Sequence, residues 1–297
     1  MSTSGRRWRR VDGVLLLDKP SGMTSNAALQ SARRLFQAAR GGHTGTLDPL
    51  ATGLLPLCFG DATKFSADLF EADKTYEADL RFGQRTDTGD AEGLVIEERS
   101  VAFSAADLDA VLARFRGPQQ QIPPMYSALK RNGRPLYELA RQGIEVARES
   151  RAVTIHALDL LELGARSCRL RATVSKGTYI RTLAEDIGEA LGCGAHLTAL
   201  RRTAIAGLRV EDANTLEMLA ELDDDARLAL LAPPDALLQS LPAVHLAGPA
   251  ATRFAQGGAV AAGAPPGRCR VYADGRLLGL GEGKDDGTVQ PRRLVCA

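Results

Sequence analysis

From Tyr76 to Phe82 the chain alternates strictly: Tyr76, Ala78, Leu80 and Phe82 take every second place, with Glu77, Asp79 and Arg81 between them. A period of two puts the apolar side chains on one face of an extended strand, so this segment demands a sheet with one buried face. Val153 to Leu163, and Cys168, Leu170, Ala172 and Val174, carry the same signature, and Val14 to Leu17 read as a short buried strand ending in the turn Lys19-Pro20-Ser21-Gly22. Helical spacing takes over elsewhere. Ala28, Leu29, Ala32, Leu35, Phe36 and Ala39 form one stripe, with Thr24 or Ser25 to cap it and Gly41-Gly42 to stop it. Ser104 and Asp107 precede Leu108, Val111, Leu112 and Phe115 as a capped helix ending at Gly117, and a further helix is expected from Ile180 to Leu191. Strands and helices interleave irregularly, which predicts an α+β fold rather than a doubly wound sheet.

Beyond about Ser240 the texture shifts to glycines, short apolar runs and turns, with Asp274-Gly275 a good hairpin turn. Val210 to Ser240, helix-prone and acidic, would close a large first domain. A chain of 297 residues, 44% hydrophobic and 25% charged, can bury such a core and carry a small second domain. The expected division is a basic tail over 1–10, a large domain over 11–240 and a small β-rich domain over 241–297.

Net charge is only +1, but it is unevenly spread. Arg6, Arg7, Arg9 and Arg10 cluster at the start, Lys130, Arg131 and Arg134 lie together, Arg201 and Arg202 are adjacent, and acids gather at Asp223, Asp224 and Asp225. Basic stretches segregated in this way can form a face that tracks phosphates. Cys58, Cys168, Cys193, Cys269 and Cys296 are too scattered for zinc or redox motifs and read as reduced packing residues. No apolar run is long enough to span a bilayer, and the start lacks a signal-type core or cleavage site. A cytoplasmic protein is expected.

The segment from Gly42 to Gly53, GHTGTLDPLATG, mixes glycines, threonines and a proline, so it should be a tightly turned loop holding side chains where regular structure would not. Within it Pro49 fixes its own φ and biases Asp48 toward an extended backbone. Alone, an aspartate before proline is an ordinary turn residue. Its surroundings are not ordinary: the stretch from Gly42 through Asp48-Pro49-Leu50 to Pro56 resembles the catalytic motif of the TruB-type pseudouridine synthases. In order along the chain, Asp18-Lys19-Pro20-Ser21-Gly22, Lys74-Thr75-Tyr76-Glu77-Ala78, Gln121-Ile122-Pro123-Pro124-Met125-Tyr126-Ser127-Ala128-Leu129-Lys130, Gly177-Thr178-Tyr179-Ile180-Arg181 and Leu200-Arg201-Arg202-Thr203 are similar to further motifs of that family.

The resemblance implies a pseudouridine synthase fold: a mixed, mostly antiparallel central sheet flanked by helices, followed by a small PUA-like RNA-binding domain. It implies isomerisation of uridine 55 in the T-loop of tRNA to pseudouridine, with no cofactor and no metal, by a stand-alone monomer that needs neither guide RNA nor protein partner. The uridine must be flipped into a pocket. There Asp48 is implied to be the nucleophile, attacking uracil C6 or ribose C1′, with Arg181 as its bidentate partner and Tyr76 stacking on the base as a candidate acceptor of the C5 proton. His43 is implied to pack against displaced nucleotides, Tyr179 and Leu200 to wall the uracil, Lys19 to support the site, and Lys130 and Arg201 to meet the RNA. Two other readings compete: an RNA-binding protein that retains only the fold, and a carboxylate-dependent glycosidase, which would need a second carboxylate.

Overall fold

The computed structural model describes residues 8–131 and 133–295. Its centre is a nine-stranded sheet. The strands are β1 (Gly13–Lys19), β2 (Gly41–His43), β3 (Thr52–Phe59), β4 (Lys74–Phe82), β5 (Gly117–Gln121), β6 (Arg151–Leu163), β7 (Ser167–Val174), β8 (Ala195–Ile205) and β9 (Leu208–Arg209). They run in the order β1-β3-β8-β4-β7-β6-β5, with β2 added to β3 and β9 to β8. One pairing is parallel, β8 with β3, where Arg201 lies opposite Thr52 and Arg202 opposite Gly53. The others are antiparallel.

Period-two patterning sorts the side chains into two cores. Leu15 and Leu17 of β1, Leu55 and Leu57 of β3, and Ala78, Leu80 and Phe82 of β4 meet the helices α1 (Ser25–Phe36), α2 (Ala105–Phe115) and α3 (Ile180–Ala190) in one buried cluster. Their alternates Val14, Leu54 and Cys58 face a second cluster with Phe65, Leu69, Leu237 and Leu238. On β4 the polar alternates turn outward, Glu77 to Arg171 and Asp79 to Arg169. Exposed to solvent, these pairs contribute little, so burial carries the sheet.

Thr24 caps α1 by accepting from Ala27 N, whereas Ser25, the other expected cap, is turned into the core. Gly41-Gly42 do not stop this helix. It ends at Gln37, whose left-handed backbone (φ 53°) lets its N–H reach Arg33 O and Arg34 O, and the two glycines pair with β3 instead. Ser104 and Asp107 form the full capping box of α2. Arg9 is drawn into the fold: it bridges Ala38, donates to Phe36 O at 3.2 Å and pairs with Asp224 at 3.1 Å. Arg6 and Arg7 lie outside the described residues, as does Cys296; the other four cysteines are free and buried.

The C-terminal sheet contains β10 (Ala243–His245), β11 (Val260–Ala261), β12 (Gly267–Ala273), β13 (Arg276–Gly283) and β14 (Thr288–Leu294), in the order β10-β12-β13-β14-β11. Asp274 (φ 48°) and Gly275 (φ 74°) make its tight hairpin turn. Leu280 joins the second core of the large domain, and Lys64, in the 3-10 helix Gly60–Phe70, donates to Leu294 O at 2.9 Å, tying the C-terminal sheet to that helix. Among the described residues no helix is long and apolar enough to cross a membrane.

Candidate active site

Asp48 sits on the loop between β2 and β3, and buried groups hold that loop from behind. Ser25 Oγ accepts from Leu47 N at 2.8 Å and donates to Leu47 O at 2.9 Å. Lys19, wholly buried, donates from Nζ to Pro20 O (2.8 Å), Met23 O (2.6 Å) and Pro49 O (3.4 Å). Burial lowers its pKa to about 8, with Asp48 and Glu92 opposing the shift. Arg202 is also buried and spans the loop's two ends, from Nε to Leu54 O at 2.8 Å and from Nη2 to Gly45 O at 3.1 Å. Only glycine fits at position 53: φ is +98°, and a Cβ there would lie 2.3 Å from Arg202 O. That close approach lets β3 leave the loop alongside β8.

The facing wall is the start of α3. Arg181, 5% exposed, brings Nη2 to 3.0 Å from Asp48 Oδ2 and Nη1 to 3.6 Å from Asp90 Oδ2. Its N–H groups donate to Thr88 O (3.0 Å) and Tyr126 O (2.6 Å). The expected bidentate fork on Asp48 is therefore replaced by a shared guanidinium, divided between two carboxylates and two carbonyls. Asp90 is buried and takes a hydrogen bond from Thr88 Oγ1 at 2.7 Å. Burial and the charges of Asp90 and Asp48 raise the pKa of Glu92, opposed by Arg181 and Lys19. Gln121 fixes the entrance to α3 by receiving Tyr179 N–H at 2.7 Å and donating to Tyr179 O at 3.0 Å.

Between these walls lies a cavity of about 180 Å³ lined by Asp48, Tyr76, Ser127, Tyr179, Arg181 and Leu200 among others. It is smaller than the ~300–1,000 Å³ typical of sites for drug-sized ligands and suits a single heterocyclic base. Tyr76 on β4 pairs across to Arg202 on β8, and Leu200 on β8 to Ala78, so the centre of the sheet supplies the floor. Asp90 does not line the cavity, which leaves Asp48 as its carboxylate among the described residues. A glycosidase needs two carboxylates facing the bond, and the pocket does not offer that pair.

Residues 33–180 match the model of the TruB family pseudouridylate synthase N-terminal domain. Residues 181–239 match the tRNA pseudouridylate synthase B C-terminal domain, and 242–295 the pseudouridine synthase II TruB C-terminal domain. The chain is 62% identical over 291 residues to tRNA pseudouridine synthase B of Dechloromonas aromatica, covering 98% of this chain and 97% of the relative. The chain belongs to the TruB family of pseudouridine synthases. It is also 58% identical to tRNA pseudouridine synthase B of Cupriavidus metallidurans, over 97% of this chain and 95% of that one. Among solved structures, the Cbf5-Nop10-Gar1 complex gives a TM-score of 0.75 at 24% identity, covering 97% of this chain and 85% of that one. The archaeal box H/ACA Nop10-Cbf5 complex gives 0.72 at 23%, covering 95% and 85%. The TruB chain shares their fold: a mixed central sheet with helices, and a β-rich, PUA-like C-terminal domain.

Of the residues that the motifs single out, the fold of this TruB enzyme gathers Asp48, Tyr76, Tyr179, Arg181 and Leu200 around the cavity. Lys19 does not contact it. Having no exposed surface, Lys19 holds the loop from behind instead of facing the cavity. His43 is half-buried in β2 behind the loop, its Nδ1 buried without a hydrogen-bond partner, and burial followed by Arg202 lowers its pKa. Lys130 is exposed on a two-residue ladder, Lys130-Arg131 against Arg134-Pro135. Arg201 pairs with Asp18 at 2.6 and 3.0 Å, and Arg202, grouped with it as a basic surface pair, is instead interior. Sequence reasoning missed the positioning roles of Ser25, Gln121, Asp90 and Arg202, whose partners lie 22 to 157 positions away for Ser25 and Arg202. No local pattern announces such partners.

Proposed function

We propose that this enzyme isomerises uridine 55 in the T-loop of tRNA to pseudouridine, with Asp48 as the nucleophile. The observation that carries the reading is Asp48 beside the Arg181 guanidinium, at 3.0 Å, on the edge of a base-sized pocket. The tRNA substrate is supported by the names of relatives up to 62% identical over nearly the whole chain. Uridine 55 follows from the family resemblance of the loop.

The chemistry breaks the N1–C1′ bond, turns the uracil, and joins C5 to C1′; C5 loses a proton and N1 gains one. A half-exposed Asp48 carboxylate can add to uracil C6 or to ribose C1′, and both routes give the same product. Arg181 holds the carboxylate's orientation. Tyr76, in the cavity wall, stacks on the base and is the candidate acceptor of the C5 proton, while Tyr179 and Leu200 confine the detached ring so that it turns without escaping.

A stacked nucleotide reaches Asp48 only after it is flipped out, at a cost of a few kcal/mol that stacking on Tyr76 and packing of His43 against displaced nucleotides offset. Lys130, Arg131 and Arg134 track the RNA backbone, and Arg201 meets phosphate with the face it leaves beside Asp18. Residues 11–240 form the catalytic domain, and 241–297 a PUA-like domain that extends the RNA contact. The enzyme works as a monomer in the cytoplasm without guide RNA, protein partner, cofactor or metal.

The test is chemical mapping of pseudouridine in an unmodified tRNA transcript after incubation with the purified protein. Modification at position 55 alone, lost when that uridine is replaced by cytidine, is the expected result. Modification elsewhere, or none despite tight binding, overturns the assignment.

A further inference from the structure

Buried hydroxyls almost always have hydrogen-bond partners, because an unmet one costs about 1–3 kcal/mol. Ser127 is 5% exposed, and its Oγ has no such partner. Among the described residues with a buried, unpartnered side-chain atom, Ser127 alone lines the cavity. Its backbone is fixed, with N–H donating to Met125 O at 2.9 Å and O accepting from Tyr137 N at 3.1 Å, so the hydroxyl's point of attachment to the wall is held. Its polar neighbour in the same wall is the Tyr179 phenol: burial raises that phenol's pKa and a side-chain interaction with Ser127 opposes the rise, but the two hydroxyls fall short of hydrogen-bond geometry.

The reaction proposed above imposes an unusual demand on such a group. When uracil turns about its N3–C6 axis so that C5 replaces N1, O2 and O4 exchange places while N3–H stays between them. A fixed hydroxyl that donates to one carbonyl oxygen before the turn meets the other afterwards. We propose that Ser127 Oγ is the pocket's hydrogen-bonding contact to the carbonyl edge of the uracil, holding the base through both attachments. The substrate supplies the missing partner. This inference rests on the pseudouridine synthase reading and extends it to a specific base contact.

The experiment compares wild type with Ser127→Ala in single-turnover pseudouridine formation, on tRNA carrying uridine, 2-thiouridine or 4-thiouridine at the target position. Sulfur is a poorer acceptor than oxygen. Wild type should slow on a thio substrate, and Ser127→Ala should turn over uridine about 3- to 10-fold more slowly, the range of one neutral hydrogen bond. The variant should lose the thio penalty, bind tRNA within twofold of wild type, and melt at the same temperature or higher, since alanine removes an unmet hydroxyl. Equal rates for Ser127→Ala and wild type, or an undiminished thio penalty in the variant, overturn the inference while leaving the synthase reading intact. A destabilised variant assigns Ser127 a purely structural role. Wild type that forms no pseudouridine brings both down together.

Discussion

Ser25 and Leu47 exchange two hydrogen bonds: Ser25 Oγ takes the Leu47 N–H at 2.8 Å and donates to Leu47 O at 2.9 Å. One hydroxyl thus ties the first turn of α1 to the residue before Asp48. Ser25→Ala leaves both backbone groups unpaired in a buried place, so it should cost about 1–3 kcal/mol in urea unfolding. It should also lower the single-turnover rate more than tRNA affinity. An unchanged unfolding midpoint would count against the clamp.

Arg181 serves Asp48, Asp90, Thr88 and Tyr126 together. A lysine ammonium cannot reproduce that planar fan of donors. Arg181→Lys should therefore reduce the rate on the order of 100-fold, about 2.7 kcal/mol of barrier, with tRNA affinity little changed. Asp90→Asn keeps the shape and removes one charge, so its loss should be smaller. Comparable losses in binding and in rate would point to an RNA contact instead.

Arg201 and Arg202 are adjacent in sequence and opposite in role. Removing buried Arg202 strands Leu54 O and Gly45 O, so Arg202→Met should destabilise by about 1–3 kcal/mol for each unpaired carbonyl. Arg201→Met should cost little stability but flatten the salt dependence of tRNA binding if it touches phosphate. Salt titration of binding beside urea unfolding separates the two.

Asp186 on α3 has its pKa raised to about 6, by burial and then by Glu189. A native pKa above the unfolded value of 3.8 favours folding at acid pH, and that contribution is lost as pH rises through about 6. Asp186→Asn removes the burdened charge. The variant should therefore gain in melting temperature over wild type more at pH 8 than at pH 4. A gap independent of pH would contradict the shift.

Much of the fold is legible along the chain because it follows from local period. The alternation from Tyr76 to Phe82 becomes β4, the Ser104 capping box starts α2, and Asp274-Gly275 makes its hairpin. The end of α1 was hidden because an αL glutamine substitutes for the glycines farther on. In the site, the motifs expose the residues that line the cavity but not their scaffolding. Whether Arg202 is interior depends on the parallel β3–β8 pairing, between segments separated by about 150 positions, and no window of sequence contains it. The dividing of Arg181 is equally non-local, since Thr88, beside Asp90, lies 93 positions earlier in the chain.

Tritium release reads out the assignment of Asp48 as the nucleophile of a uridine isomerisation. Purified wild type and Asp48→Asn are incubated with a tRNA transcript tritiated at uridine C5. Wild type should release tritium from one T-loop site and the variant none, with tRNA affinity within severalfold because phosphate contacts dominate binding. Release by Asp48→Asn at a rate near wild type would contradict the assignment.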